Sequence, residues 1–244
     1  MAMSLIIPQW PAPDRVRAVS TLRQGGVSEG NWRSLNLGSH VGDKLHHVAA
    51  NRERLIELAA LPAMPQWLEQ VHSTDVACLS AGGTAPLQAD ACITRETGVV
   101  CAIMTADCLP VLFCSDDGRE VAAAHAGWRG LCGGVLENTL AQFQAAPGNI
   151  HAWLGPAIGP DAFEVGAEVR RAFMDHDPEA AAAFRPAGEK FYADIWLLAR
   201  QRLHAAGVKS VSADSRCTFS EQDDFFSYRR DGITGRMATL IWLL

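Results

Sequence analysis

The sequence predicts an α+β domain with mixed β-sheets flanked by helices. Three observations predict it: strand-like apolar runs outnumber helical ones, residues 110–125 read as a hairpin, and strands and helices do not alternate regularly. No repeat, low-complexity block or Pro/Gly/Ser linker interrupts the chain, so residues 1–244 are expected to form a single catalytic domain. Strands are expected over 15–21, 66–71, 76–80, 98–104, 110–114, 119–125, 150–154, 208–213 and 238–243, each a short apolar run bounded by turn residues. The first helix is expected over 47–60, where Val48, Leu55, Ile56 and Ala59 recur near helical spacing and Asp43 or His46 stands near the start. A second should follow a glycine-rich turn at 127–134 and carry Val135, Leu136, Thr139 and Leu140. A third is expected near 167–174, and a fourth over 193–206, stopped by Gly207.

With 48% hydrophobic and 20% charged residues the chain has enough apolar material for a sizeable core, which excludes a disordered or coiled-coil protein. A net charge of -6 argues against a broad basic surface, so no nucleic-acid partner is expected and small-molecule chemistry is favoured. Residues 1–10 lack a basic leader region and meet Pro8 after a short apolar run, and no stretch has membrane-spanning length. A cytoplasmic protein without membrane partners is therefore expected. The cysteines number seven and include no Cys-x-x-Cys, a poor disulfide framework in which most thiols should be reduced core residues.

The hairpin holds the first candidate site. Ser115, Asp116, Asp117 and Gly118 are turn chemistry between two apolar runs. A four-residue loop sets Cys108 opposite His125, whereas a two-residue Asp117-Gly118 loop sets His125 opposite Pro110; both leave Cys108 and His125 on one face. Opposed or diagonal side chains then stand close enough to share one metal or one proton. The same pair also suits a buried filler cysteine and a hydrogen-bonded strand-end histidine. His72, which ends the apolar alternation beginning at Trp67, is the candidate third ligand, and His72, Cys108 and His125 together would leave a fourth position open, as in catalytic zinc sites.

Other polar constellations are candidates for substrate. Arg23 with Gly25 and Gly26 could offer a guanidinium and backbone N–H groups to an oxyanion, or form a simple turn. Asn36 lies in an irregular polar stretch, and Arg129 follows His125 closely enough to bind an anion or pair with a carboxylate. Residues 225–236 concentrate Arg229, Arg230 and Arg236 among aromatics, which suits anion binding, base stacking or a solvated turn.

Taken in order, T-L-R-Q-G-G-V-S, S-L-N-L-G-S-H-V-G-D, E-Q-V-H, T-A-D-C-L-P, H-A-G-W-R-G, G-P-A-I-G and F-F-S-Y-R-R-D-G-I-T-G-R resemble the bacterial laccase-domain family from about Ile7 to the C-terminus. Its members carry the labels polyphenol oxidoreductase, purine nucleoside phosphorylase and peptidoglycan editing factor. The resemblance implies one α+β domain, similar to the cytotoxic necrotizing factor class of cysteine deamidases, with zinc bound by His72, Cys108 and His125. The one departure is Ser73, where the family often has glycine.

Four readings follow from the resemblance. The first is a zinc-dependent purine nucleoside phosphorylase using phosphate on adenosine, inosine and S-methyl-5′-thioadenosine. In that reading Arg23, Gly25 and Gly26 hold phosphate, Asn36 and Arg129 assist, and activated water at the same pocket deaminates adenosine. The second is a hydrolase using Cys108 and His125 on an amide of a cell-wall precursor. The third is a metal-binding module without catalysis. The fourth is copper-dependent phenol oxidation: copper outcompetes zinc for such ligands, but the eight histidines include no His-x-His and a lone copper ion cannot store four electrons.

Overall fold

The computed structural model describes residues 5–83 and 87–244, so Met1 to Ser4 of the segment read as lacking a leader lie outside the described residues. Two sheets face each other. A four-stranded sheet runs in the order Leu5–Ile6, Val16–Thr21, Met237–Leu243, Val100–Thr105. A six-stranded mixed sheet runs Ser210–Ala213, Ile150–Leu154, Leu109–Ser115, Val121–Ala126, Ala91–Thr94, Val76–Cys78. Period-two alternation explains the layering. Leu112, Cys114, Val121 and Ala123 turn inward to meet Cys101, Ile103 and Ile241 of the other sheet. Val111, Phe113, Ala122 and Ala124 turn outward onto Leu131, Leu136, Leu198 and Leu203 of the helices. The outer face of the four-stranded sheet presents Val19, Leu240 and Trp242 to Leu35, Leu37 and Leu55. The result is the expected α+β architecture with mixed sheets.

Several elements differ from the sequence expectation. Residues 127–134 are helical rather than a turn: Trp128–Gly133 is a helix that buries Leu131, and Gly134, at φ 102°, ends it and starts Val135–Leu140. Residues 66–71 form isolated bridges instead of a strand, because the Gln70 amide exchanges two hydrogen bonds with the Met104 backbone and Val71 N–H turns to the Asp90 carboxylate. Ala91–Thr94 is a strand with every residue buried, so it shows no alternation to read. A three-stranded sheet of Phe184–Ala187, Lys190–Ala193 and Glu164–Val165 also went unpredicted, its strands being short and mostly polar outside. Among the described residues no helix is long and apolar enough to cross a membrane.

Candidate metal and active site

The sheets deliver their functional residues to one end. Cys108 immediately precedes Leu109–Ser115, His125 is the penultimate residue of Val121–Ala126, and Arg236 precedes Met237–Leu243, whose partner strand ends at Thr105. The hairpin takes the register in which Pro110 faces His125, leaving Cys108 diagonal to it, although the loop itself spans 116–119. His72 arrives from the loop before Val76–Cys78, with φ 61° in the left-handed region. The ligand atoms of His72, Cys108 and His125 all lie within 4.8 Å of one another, and Cys108 Sγ is 3.9 Å from His72 Nε2. His125 is buried, Cys108 half-buried and His72 exposed, so the trio runs from the interior to solvent.

Asp90, which the sequence reading did not single out, holds this arrangement together. Its fully buried carboxylate accepts from the backbone N–H groups of Val71 (3.1 Å), His72 (2.9 Å) and Ser73 (2.6 Å), and from His125 Nδ1 (2.8 Å). One side chain therefore fixes both the loop that carries His72 and the ring of His125, whose Nε2 is left for a ligand. This is the outer partner that metal-binding histidines usually have. Burial alone would raise the Asp90 carboxyl, but the His125 and backbone donors outweigh it and hold it at about 2.

The charges of the trio are set by the same contacts. Burial, the largest influence, pushes the Cys108 thiol up; the positive His125 ring and hydrogen bonds from His125 and His72 prevail and bring it down to about 6. Burial likewise opposes charge on His125, yet Cys108 and Asp90 raise it to about 9. Without a metal the pair is thus a thiolate beside an imidazolium. Chelator-treated protein is expected to be alkylated at Cys108 by iodoacetamide with a rate rising through pH of about 6, and zinc should protect it. A midpoint near the free-thiol value of about 8.5, read by mass mapping across pH, would remove His125 from this role.

These residues fit a metal. A thiolate and two imidazoles are borderline-soft donors, and three of them leave a coordination position free. Space is kept by Gly127, where a Cβ would come within 3.0 Å of Cys108 Sγ and His72 Cδ2. Two cavities share His72, Ala106, Cys108 and Tyr228. The first, about 420 Å³, is also lined by His40, Thr105, His125 and Arg236. The second, about 250 Å³, has apolar walls and Arg129 at its rim.

The expected anion cradle is not at the trio. Arg23 Nε and Nη2 donate to the Arg33 carbonyl at 3.0 and 2.9 Å, Nη1 donates to the Gln222 carbonyl at 2.9 Å, and the guanidinium lies over the Phe226 ring. It lines a separate cavity that contains none of the three ligands. Gly25 takes φ 96°, and a Cβ on Gly26 would overlap the Ser34 carbonyl and Leu35 Cα, while Gly26 N–H is bonded to Ser34 Oγ. Both glycines serve loop packing. Asn36 is fully buried with its amide spent on Gly38, Asp43 and the Arg236 N–H, so it anchors the segment carrying Arg236 and cannot reach substrate. Arg129 alone of these five is placed next to the trio, exposed, with its guanidinium 4.5 Å from the Trp128 ring centroid.

A mixed-sheet α+β domain with an open His2Cys cluster at a divided pocket defines a class of single-domain proteins suited to metal-assisted chemistry on small molecules. The chain belongs to the family described as multi-copper polyphenol oxidoreductase laccase, whose model matches residues 17–244. It is similar to purine nucleoside phosphorylase YfiH of Escherichia coli, at 58% identity over 98% of this chain and 99% of that one. It is also similar to purine nucleoside phosphorylase PA4543 of Pseudomonas aeruginosa, at 52% identity over 98% of each. Among solved structures, Neisseria meningitidis protein NMB0706 superposes with a TM-score of 0.95 at 51% identity, covering 98% of this chain and 99% of that one.

Proposed function

We propose that the protein is a zinc-dependent purine nucleoside phosphorylase cleaving adenosine, inosine and S-methyl-5′-thioadenosine with phosphate, and that it also deaminates adenosine. The observation that carries this reading is the meeting of His72, Cys108 and His125 beside an arginine-lined cavity, in a chain matching relatives named purine nucleoside phosphorylase over nearly its whole length. Zinc is favoured over copper because an open thiolate–imidazole site suits Lewis-acid chemistry and a single copper does not suit four-electron oxidation. The seven free thiols support a cytoplasmic setting.

In phosphorolysis an oxygen of phosphate bonds to the anomeric carbon, the bond to the purine nitrogen breaks, and its electron pair departs with the base, which takes up a proton. His72, Cys108 and His125 would hold the metal, which when bound supplies polarisation of substrate oxygen. Arg236 takes over the anion-binding role expected of Arg23: it lines the first cavity, and its Nη1 is braced by the Thr234 and Gly235 carbonyls. Arg129 stands apart from it, at the rim of the second cavity. His40 faces the first cavity with its pKa lowered by burial and by Arg236 and Arg52, so it enters neutral, able to accept a hydrogen bond from a phosphate or ribose hydroxyl.

Incubation of zinc-loaded protein with inosine, with and without phosphate, tests the reading by chromatography of hypoxanthine and ribose 1-phosphate. Phosphate-dependent release of both is expected. Their absence would sink phosphorolysis and move attention to the thiolate–imidazolium pair as an amide-cleaving nucleophile.

A further inference from the structure

The two cavities that meet at His72 and Cys108 differ in chemistry. The second is walled by Trp128, Ile158, Phe163 and Ile195, the last three nearly or fully buried. Apart from Arg129, exposed at its rim and stacked on Trp128, its charged neighbours Asp107 and Arg229 are already engaged. Asp107 accepts from Thr218 Oγ1 at 2.7 Å and from Arg229 N–H at 2.7 Å, and Arg229 donates to the Glu164 carbonyl while lying 5.7 Å from the Phe163 ring centroid. The first cavity instead offers Arg236, His40 and Thr105.

We propose that the Trp128–Phe163 cavity seats the purine base while the Arg236 cavity receives phosphate, with the sugar held between them at His72 and Cys108. This assignment rests on the phosphorolytic reading and adds where each half of the substrate goes. Displacement at a sugar carbon needs the attacking oxygen and the departing nitrogen on opposite faces, and two compartments sharing one wall provide that separation. Chemistry decides which takes which. A planar heterocycle gains from flat aromatic walls, whereas a phosphate dianion among Trp128, Ile158, Phe163 and Ile195 would be desolvated with Arg129 at the rim as its one free cation among the described residues, against Arg236, His40 and Thr105 in the first cavity. The cavity of about 250 Å³ suits a base better than a base with its sugar.

Trp128→Leu and Phe163→Leu keep apolar volume and remove one flat face each; circular dichroism checks that both fold. Calorimetric titration with adenine and steady-state kinetics on inosine and phosphate read the result. Each variant is expected to bind adenine about tenfold more weakly and to raise KM for inosine by a similar factor, with KM for phosphate within about twofold of the original. Arg236→Gln should reverse the pattern, raising KM for phosphate and leaving adenine affinity intact. Wild-type protein that binds no adenine, or leucine variants that bind it unchanged, would overturn the assignment. The two readings fail separately. Adenine binding lost in the variants of a protein that turns over no nucleoside keeps the base seat and removes phosphorolysis. Normal phosphorolysis with unchanged inosine KM in both variants does the reverse.

Discussion

Cys108→Ala protein is expected to release no hypoxanthine from inosine in the presence of phosphate and to purify without stoichiometric zinc. The substitution removes the only sulfur ligand of a trio whose atoms lie within 4.8 Å of one another and leaves two histidines, too few to hold zinc tightly. It also removes the negative charge that helps keep His125 protonated, since Cys108 is the largest of the influences that raise that ring. Losing metal polarisation is expected to cost on the order of 4 kcal/mol of transition-state stabilisation, about a thousandfold in kcat/KM. The fold should survive, because Cys108 lies outside the strand that follows it and is half-buried. Metal analysis and inosine turnover on one preparation check both halves. Full zinc with full activity would show that the chemistry lies elsewhere, and equal products from both proteins would point to a contaminating phosphorylase.

The parts of this site that the sequence disclosed are those governed by short-range geometry. Turn residues at 115–118 and the two-residue period of strands bring Cys108 and His125 to one side for a two- or a four-residue loop, though a three-residue loop would part them. Residue 90 was invisible for the opposite reason. Its partners stand 17 to 19 and 35 positions away, and nothing local in Gln-Ala-Asp-Ala distinguishes a buried organiser from a turn aspartate. Arg23 misled because a guanidinium beside two glycines has the same sequence signature whether it faces an anion or caps carbonyls, and only the arrival of residues 33 and 222 decides. Residues 127–134 misled because four glycines outweigh Leu131 in propensity, yet packing of Leu131 against the sheet supplies what propensity lacks.

Asp90→Asn should do nearly as much damage as loss of a ligand while touching no ligand position. Oδ1 accepts from His72 N–H and His125 Nδ1, and Oδ2 accepts from Val71 and Ser73 N–H. An amide nitrogen placed at either oxygen would oppose two donors, so no flip of the asparagine satisfies the site. Orphaning them in a fully buried position, together with breaking the buried pair to His125, is expected to cost about 3 kcal/mol, a fall in Tm of about 6–12 °C for a chain of this size. The loop at 71–73 would lose what holds His72 at φ 61°, and zinc affinity should fall about 10- to 100-fold in chelator competition. The sign of the pH dependence follows from the lowered carboxyl. Its contribution is present above the ordinary aspartate range and is lost as pH falls toward about 2, so wild type and variant should converge in stability in acid and differ most near neutrality. A variant that melts with wild type and competes equally for zinc at neutral pH would mean that His72 and His125 are held by their strands and loop alone, and that Asp90 only fills space.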